Sequence, residues 1–289
     1  MKPISVVIPT YNRCDTLKKA LVAYLDQTAL QSIAEILVVD DGSTDSTGGV
    51  VELMARESVV PIRYLLQENK GPAAARNVGI REAAGELILF TDDDIIPQRD
   101  LVAQHLEWHR NFPGEETAVL GYVTWAPEIS STPFMKWYGL EALFSYAELA
   151  GRSKIDYRYF YTCNISLGKY FLHRNGIFDE DFKVAAWEDI ELGFRLDRAG
   201  MRLLYNPNAM AYHHQHISFE DACRRARKSA VAAEVFKRKE AGQRLRTTSS
   251  LKRYVKKQLA LPLSPLKSFM DSALPLPWII YRMMFRIYR

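Results

Sequence analysis

Three adjacent carboxylates, Asp92, Asp93 and Asp94, follow directly after the apolar run LILF at residues 87–90. Neighbouring like charges repel each other, so the triplet needs either solvent or a cation from elsewhere. On an extended backbone Asp92 and Asp94 project to the same side, about 7 Å apart. Mg²⁺ is held in proteins by one or two carboxylates together with phosphate oxygens. A solvated loop is the alternative, but the apolar run before the triplet favours a metal–phosphate site.

The elements that would position this triplet are short β-branched runs that alternate with helical patterns. Strands are predicted at ISVVIP, AEILVVD, IRYLLQ and ELILF, with helices over residues 14–27, 46–56 and 73–83. Strands that are apolar on both sides and separated by helices predict an α/β fold with a mostly parallel sheet and helices on both faces. Ligands bind such sheets at the carboxyl ends of the strands. Four polar segments fall there: PTYNR, DDGSTDS, NKGPAAARN and TDDD.

Two of these segments have a structural explanation beside a functional one. Ser43 or Asp45 is placed to cap the following helix, but this does not explain why Asp41 follows an apolar strand. Pro72 opens an Ala-rich helix whose unpaired N–H groups favour an anion, and Arg76 lies one turn further on. Taken alone, each loop is better explained by structure than by function.

Five motifs together resemble family 2 glycosyltransferases of the GT-A fold: VVIPTYNR, ILVVDDGSTDST, NKGPAAARNVGI, LILFTDDDI and WEDIELGFRL. The resemblance covers roughly residues 4–220. It implies transfer of a sugar from a nucleotide diphosphate donor, here expected to be a UDP-sugar, with inversion at the anomeric carbon. It also implies Mg²⁺ or Mn²⁺ as the cofactor.

The resemblance further implies a set of site residues on the donor side. Asp41 would accept a hydrogen bond from the base, and the metal ligands would be Asp94, Asp92 and His213. The triple acid leaves open whether Asp93 or Asp94 binds the metal. The donor-binding residues would be Pro9, Tyr11, Arg13, Asp41, Arg76, Asp92 and Asp93.

The acceptor side is predicted around the helix that begins at WEDIEL. An inverting transfer needs a base for the acceptor hydroxyl, and the resemblance assigns this role to Asp189, with Glu188 holding hydroxyl groups. We expect Asp189 to be ionised at neutral pH, because the helix dipole stabilises an anion there. Acids in a first helical turn are also common without any catalytic role.

Further acceptor-binding residues are implied at Thr162 and Asn164, within YTCNIS. Trp187 is predicted either to stack on a sugar ring or to lie in the core. His213, after the last predicted strand, is expected near the metal or the diphosphate. A zinc site built from the three histidines of YHHQH is the weaker alternative, because no fourth ligand is suggested.

The charge divides the chain unevenly. Residues 244–289 carry ten Lys or Arg against one acid, a net +9, which leaves −5 for residues 1–243 of a chain whose total is +4. We predict three parts: residues 1–105 bind the nucleotide sugar, residues 106–220 form the acceptor half of the same domain, and residues 221–289 form a basic helical extension. Arg282, Arg286 and Arg289 form a stripe on an apolar helix, which suits an anionic membrane surface. Packing of this helix on the body or on a second subunit is the alternative.

Other features bound the location and the partners. The chain has 289 residues and three widely spaced cysteines without a C-x-x-C pair, so we expect reduced thiols in a cytoplasmic protein. No run reaches the ~18 uncharged apolar residues of a spanning helix. We therefore expect that the basic extension attaches the protein peripherally, on the cytoplasmic face of the membrane. The acceptor is then expected to be a glycan or lipid-linked, in the synthesis of cell-surface polysaccharide or glycolipid.

Two other functions compete with glycosyl transfer as explanations of these motifs. A sugar-phosphate nucleotidyltransferase would have a Gly-rich loop after the first strand, whereas PTYNRCDTL has no glycine. An inactive membrane-tethered protein that binds sugar nucleotides would not need the acids at 92, 94 and 189, which are all present. Nucleic acid is not expected as a partner, since the basic tail lacks a recognition motif.

Overall fold

The computed structural model describes residues 3–139, 143, 146–149, 151–152, 154–246, 270–272 and 276–288. These residues contain one eight-stranded sheet, in the order β3-β2-β1-β4-β7-β6-β8-β5. The strands are β1 (Ile4–Thr10), β2 (Ile33–Asp40), β3 (Ile62–Leu66), β4 (Leu87–Thr91), β5 (Ile95–Pro97), β6 (Thr117–Trp125), β7 (Asn164–Gly168) and β8 (Arg202–His213). The predicted α/β fold is confirmed.

The helices alternate with the strands in the first half and cluster in the second. They are α1 (Cys14–Leu25), α2 (Thr47–Glu57), α3 (Pro72–Glu82), α4 (Leu101–Asn111), α5 (Pro133–Tyr138), α6 (Lys169–Asn175), α7 (Glu188–Arg198), α8 (Phe219–Arg238), α9 (Glu240–Arg246) and α10 (Trp278–Tyr288). The predicted part boundaries at 105/106 and 220/221 fall inside α4 and α8.

The sheet changes character at its middle. Strands β1 to β4 are parallel to one another, β7 is antiparallel to both β4 and β6, and β6 and β8 are parallel. Only the first four strands therefore follow the βαβ pattern that the sequence makes visible. The remaining strands are joined across long connections, and β5 pairs with β8 at the far edge.

The central strands are buried on both faces, which explains their continuous apolar sequence. One core cluster includes Val7 and Phe90, and another, separate cluster includes Ile8 and Leu89. Because successive strand residues point to opposite faces, one cluster lies on each side of the sheet. Gly79 lets α3 lie close to β1, since a Cβ at this position would collide with Val7.

A third apolar cluster joins α10 to α5 and α8. It contains Phe134 and Trp137 of α5 together with Tyr281 and Met284 of α10, all buried. Across the described residues, no helix is both long enough and apolar enough to span a bilayer.

Candidate active site

The loops after β1 and β2 are tied together at the carboxyl edge of the sheet. Asn12 adopts a left-handed backbone with φ of 52°, and its side-chain oxygen accepts hydrogen bonds from the backbone N–H of Thr44 (2.8 Å) and Asp45 (3.3 Å). Asparagine tolerates this conformation better than most residues. Next to these hydrogen bonds, the Tyr11 side chain is 47% exposed and Pro9 is half-buried. Both predicted donor residues are therefore accessible at the carboxyl edge of the sheet.

Asp41 is buried and braces the loop before α3. Its carboxylate accepts hydrogen bonds from Gln67 Nε2 (2.6 Å) and from the backbone N–H groups of Lys70 (2.8 Å) and Gly71 (2.9 Å). Gly71 has φ of 93°, and a Cβ there would lie 2.7 Å from the Lys183 carbonyl oxygen. Glycine is therefore required at this turn, which fixes the start of α3.

The acidic triplet forms a turn between β4 and β5. The extended backbone from which we predicted a separation of about 7 Å between Asp92 and Asp94 is therefore wrong. Its positive partners come from distant parts of the chain, so the protein itself supplies part of the positive charge that the triplet needs. Arg13 Nη1 lies 2.5 Å from Asp94 and 3.5 Å from Asp93, and Arg76 Nη2 lies 2.8 Å from Asp92.

The environments of Asp93 and Asp94 differ, which bears on the choice between them as metal ligand. Burial, together with the neighbouring charge of Asp94, raises the pKa of Asp93 to about 7. Burial also acts on Asp94, but His213 and Arg13 outweigh it and hold the pKa of that carboxyl well below its usual range. Asp94 is thus the more permanently ionised of the two, and Asp93 is occupied by the Thr10 hydroxyl at 2.8 Å.

His213 closes the far side of this acidic turn. Its Nε2 lies 3.3 Å from Asp94 Oδ2, and its buried Nδ1 has no hydrogen-bond partner among the residues that the structure describes. The indole of Trp125 stacks on the imidazole, with ring centroids 5.3 Å apart. A buried imidazole nitrogen of this kind is a group for which a further ligand would supply a partner.

The donor set of Asp92, Asp94 and His213 fits a divalent cation in chemistry. Carboxylate oxygens suit Mg²⁺ and Mn²⁺, and imidazole adds a nitrogen ligand that Mn²⁺ accepts. Within the described part of the chain, no group of three or more His, Cys, Asp or Glu side chains is arranged so that it could hold a metal ion, so the fit of this set is one of chemistry and not of geometry. The three-histidine zinc alternative has no support there, because His214 Nε2 contacts Glu128 and Lys19 instead.

Arg76 connects the two sides of the site. It is 3% exposed, and its guanidinium binds Glu188 Oε1 at 2.9 Å and Asp92 Oδ1 at 2.8 Å. Glu188 is equally buried, and within the described part of the chain its second oxygen, Oε2, has no hydrogen-bond partner. A charge held in this way, with one oxygen left over, is available for a ligand hydroxyl.

Asp189 follows Glu188 in the first turn of α7, beyond Trp187. Burial and the adjacent Glu188 charge raise its pKa to about 7. The expectation of a fully ionised carboxylate at neutral pH was therefore wrong, because loss of hydration and like-charge repulsion outweigh the helix dipole. The backbone N–H of Ile190 donates to its Oδ1 at 2.8 Å and orients the group.

The predicted acceptor residues occupy interior positions. Thr162 is buried two residues before β7. Asn164 is 1% exposed, donates to the carbonyl oxygens of Ala209 (2.9 Å) and Tyr122 (3.3 Å), and is bonded to His105 at 2.9 Å. Its amide thus helps to hold β6, β7 and β8 together, and a role of Asn164 in acceptor binding stays a prediction.

Trp187 has the left-handed φ of 72° and lies against α8. Its Nε1 donates to Ser229 Oγ at 3.0 Å, and its ring packs on Phe236 with centroids 4.9 Å apart. Of the two roles predicted for this side chain, these contacts support core packing. The strained backbone at Trp187 sets the direction in which α7 and its two acids begin.

Several residues of the site were missed by the sequence argument. Thr10, Asn12 and Gln67 each position an acid or a loop, yet none belongs to a charged cluster. The only sequence signal for these residues was their position near the end of a predicted strand: Thr10 and Asn12 lie in PTYNR, and Gln67 ends IRYLLQ.

The α/β fold and the acidic site at the carboxyl edge of its sheet can be compared with known proteins, and the comparison identifies the family. Glycosyl transferase family 2 matches residues 5–146. Validoxylamine A glucosyltransferase of Streptomyces hygroscopicus subsp. jinggangensis is 33% identical over 222 residues, which are 68% of this chain and 52% of that protein. Chondroitin synthase of Escherichia coli is 26% identical, over 82% of this chain and 38% of its own length.

A solved structure extends the likeness over the whole chain. The mannosyltransferase of Pyrobaculum calidifontis in complex with GDP-Man and Mn²⁺ has a TM-score of 0.66 at 20% identity, covering 99% of this chain and 84% of that one. The chain belongs to glycosyltransferase family 2, as its five motifs predicted. It spans about half the length of the curated relatives it matches first.

Proposed function

We propose that this protein is a metal-dependent, inverting glycosyltransferase that moves a sugar from a UDP-sugar to a hydroxyl of a glycan or lipid-linked acceptor. The synthesis of cell-surface polysaccharide or glycolipid is the process it would serve. The observation that carries the proposal is Arg76, which links Asp92 on the donor side to Glu188 beside the base. The names of the relatives, a glucosyltransferase and a chondroitin synthase, support sugar transfer.

On the donor side, Asp94, Asp92 and His213 would hold Mg²⁺ or Mn²⁺. When bound, the ion neutralises charge that develops on the departing diphosphate. Arg13 and Arg76 add fixed positive charge next to the same carboxylates. Asp41 would orient the nucleobase of the donor through the loop that it braces, with Pro9 and the exposed ring of Tyr11 beside it.

On the acceptor side, Asp189 takes the proton of the acceptor hydroxyl as the oxygen attacks the anomeric carbon. The bond from that carbon to the diphosphate oxygen breaks at the same time, and attack from the opposite side inverts the configuration. A base whose pKa is close to the working pH is the most effective in such a step. Glu188 would hold donor or acceptor hydroxyls through its unpartnered oxygen.

The outward face of α10 supports peripheral attachment to the cytoplasmic face of a membrane. Trp278, Ile279 and Met283 are 49%, 68% and 41% exposed, and Arg282 and Arg286 lie exposed along the same face. Apolar side chains flanked by arginines are typical of a helix that lies at a membrane interface. The opposite face packs on α5 and α8, in line with the alternative of packing on the body, and the outward face is the one that we propose meets the membrane. Arg289 and the basic segment at 251–258 lie outside the described residues.

The experiment that tests the function separates donor chemistry from acceptor activation. UDP-, GDP- and dTDP-sugars are screened with Mn²⁺ for protection against thermal unfolding, and hydrolysis of the bound donor is then followed. We expect Asp189→Asn to keep donor hydrolysis but lose transfer by about 10²- to 10⁴-fold. Asp94→Ala should lose both activities.

Asp100→Asn, an exposed acid at the start of α4, serves as the matched control and should keep both activities. Full transfer by Asp189→Asn, or hydrolysis that does not respond to Asp94→Ala, would contradict the proposal.

A further inference from the structure

We infer that a cavity beside His213 is the acceptor subsite and that it takes a sugar ring bearing an anionic group. This inference rests on the proposed glycosyl transfer and adds the chemical class of the acceptor. The cavity is lined by aromatic residues, one lysine and the histidine, namely Tyr122, Trp125, Lys136, Gly139, Tyr146 and His213.

The place of the cavity in the fold separates it from the donor loops. Its aromatic wall comes from the carboxyl-terminal half of β6, where Trp125 pairs with His213 of β8. The predicted donor residues follow β1, β2 and β4, which lie on the other side of β7 in the sheet. His213 is therefore the wall shared by the cavity and the acidic turn, since it also contacts Asp94.

The size of the cavity suits one ring. Its volume is about 130 Å³, well below the ~300 Å³ at which pockets begin to hold drug-sized ligands. A complete nucleotide sugar is too large for this space. A single monosaccharide unit at the end of a longer acceptor is the appropriate occupant.

The walls offer the mixture of surfaces that a sugar needs. The Trp125 indole stacks on His213, and the Tyr122 and Tyr146 rings meet edge to face with centroids 5.1 Å apart. Binding sites for small molecules combine such apolar and aromatic walls with a few placed polar groups. Gly139 keeps the space beside Trp125 open, because a Cβ there would lie 2.7 Å from the indole nitrogen.

The charge of the lining points to an anion. Lys136 is exposed on α5, and no acidic side chain is found among the lining residues that the structure describes. No described acid lies within ion-pair distance of Lys136, in contrast to Arg13 and Arg76, which are both paired. A lysine ammonium acts as a point charge toward phosphate or carboxylate. A phosphate would belong to a lipid-linked acceptor and a carboxylate to an acidic glycan.

Packed side chains connect the cavity to the surroundings of the proposed base and to α10. The Tyr146 ring is 6.3 Å from the Tyr161 ring, and the Asp189 charge, after burial, contributes to the raised pKa of Tyr161. On the other side, Phe134 and Trp137 of α5 pack on α10. An acceptor in this cavity would thus lie between the base and the helix proposed to meet the membrane.

Ligand-observed NMR saturation transfer on the full chain tests the inference with three probes: glucose 1-phosphate, glucuronate and methyl glucoside. We expect one or both anionic probes to bind more tightly than the neutral probe, and the stronger of them identifies the source of the anion. Lys136→Gln should weaken the anionic probe about fivefold, the upper range for one exposed ion pair. Lys228→Gln, an exposed lysine on α8, is the control and should leave binding unchanged.

Three results would overturn the inference: equal binding of the neutral and anionic probes, the same affinity in Lys136→Gln, or no binding of any probe. Addition of saturating UDP or GDP should leave the probe signal in place, since displacement would mean that the probe occupied the donor site. Donor hydrolysis by the unmodified chain, measured in the same samples, shows whether the proposed function holds independently of the cavity.

Discussion

The donor loops after β1, β2 and β3 and the acceptor helix α7 are held in place by contacts of very different range. On the donor side, Asn12 bonds to Thr44 and Asp41 bonds to Gly71, at sequence separations of 32 and 30 residues. On the acceptor side, Glu188 depends on Arg76, which is 112 residues away. The donor loops are thus braced by several bonds between neighbouring loops, whereas the acceptor helix is joined to them by one buried ionic link.

The difference has an energetic consequence. The donor bonds are mostly to backbone N–H groups, so loss of one of them leaves the others in place. Arg76 and Glu188 are both almost fully buried, and each leaves the other as an uncompensated charge if it is removed. The acceptor side should therefore be the more sensitive to a single substitution, and the variants Arg76→Met and Asp41→Ala test this contrast.

The largest effect is expected for Arg76→Met. Glu188 would be left buried without its partner, which typically costs about 3–5 kcal/mol. Urea unfolding measures the loss, and the double variant Arg76→Met/Glu188→Leu should recover part of it. The exposed pair Arg99–Asp26 gives the control Arg99→Met, which should cost less than about 1 kcal/mol. Equal losses for Arg76→Met and Arg99→Met would remove the contrast between the two sides.

A smaller loss in the free energy of unfolding is expected for Asp41→Ala on the donor side. The backbone N–H groups of Lys70 and Gly71 would lose their acceptor, at about 1–3 kcal/mol for buried unsatisfied groups. Calorimetric titration with UDP and Mn²⁺ should show weaker binding, while Asp15→Ala, an exposed acid on α1, should not change it. Unchanged nucleotide affinity in Asp41→Ala would remove this residue from the donor site.

The pH dependence of transfer should report Asp189. Its pKa is raised to about 7, so the base is progressively protonated below that pH, and kcat/KM should fall about tenfold per unit. An unshifted aspartate would keep its activity down to about pH 4. Between these values the folded state binds the extra proton, so this group makes the protein less stable as pH rises from about 4 to 7. A rate that is flat from pH 5 to 8 would contradict the assignment.

The smallest effect concerns the outward face of α10. Arg286→Ala should weaken binding to vesicles that contain phosphatidylserine by about fivefold, because one basic residue near an anionic surface contributes about 1 kcal/mol. Sedimentation with vesicles measures the change, and Lys18→Ala on α1 is the control. If binding is the same to vesicles with and without anionic lipid, the membrane is not the partner of this face.

Sequence reasoning was most successful where contacts are local. Apolar runs and the residues that follow them were enough to locate the four parallel strands and the loops at their carboxyl ends. They also located the acids that follow β4 and those that begin α7. It was less successful for β5 to β8, because β7 reverses direction and pairs with strands far away in the chain. Asn164 illustrates the limit: a polar residue in an apolar segment predicts either a site or a buried hydrogen-bond network, and only its neighbours decide between them.

The amino-acid sequence by itself determined the family, the α/β architecture and the positions of the acids that can bind a cation or accept a proton. These follow from residue type and short-range periodicity, which are properties of the chain alone. The tertiary structure decided which charges meet: Arg13 with Asp94, Arg76 with Asp92 and Glu188. It also decided the protonation of Asp189, because a pKa depends on burial and on neighbouring charges, and both are set by residues brought together in space.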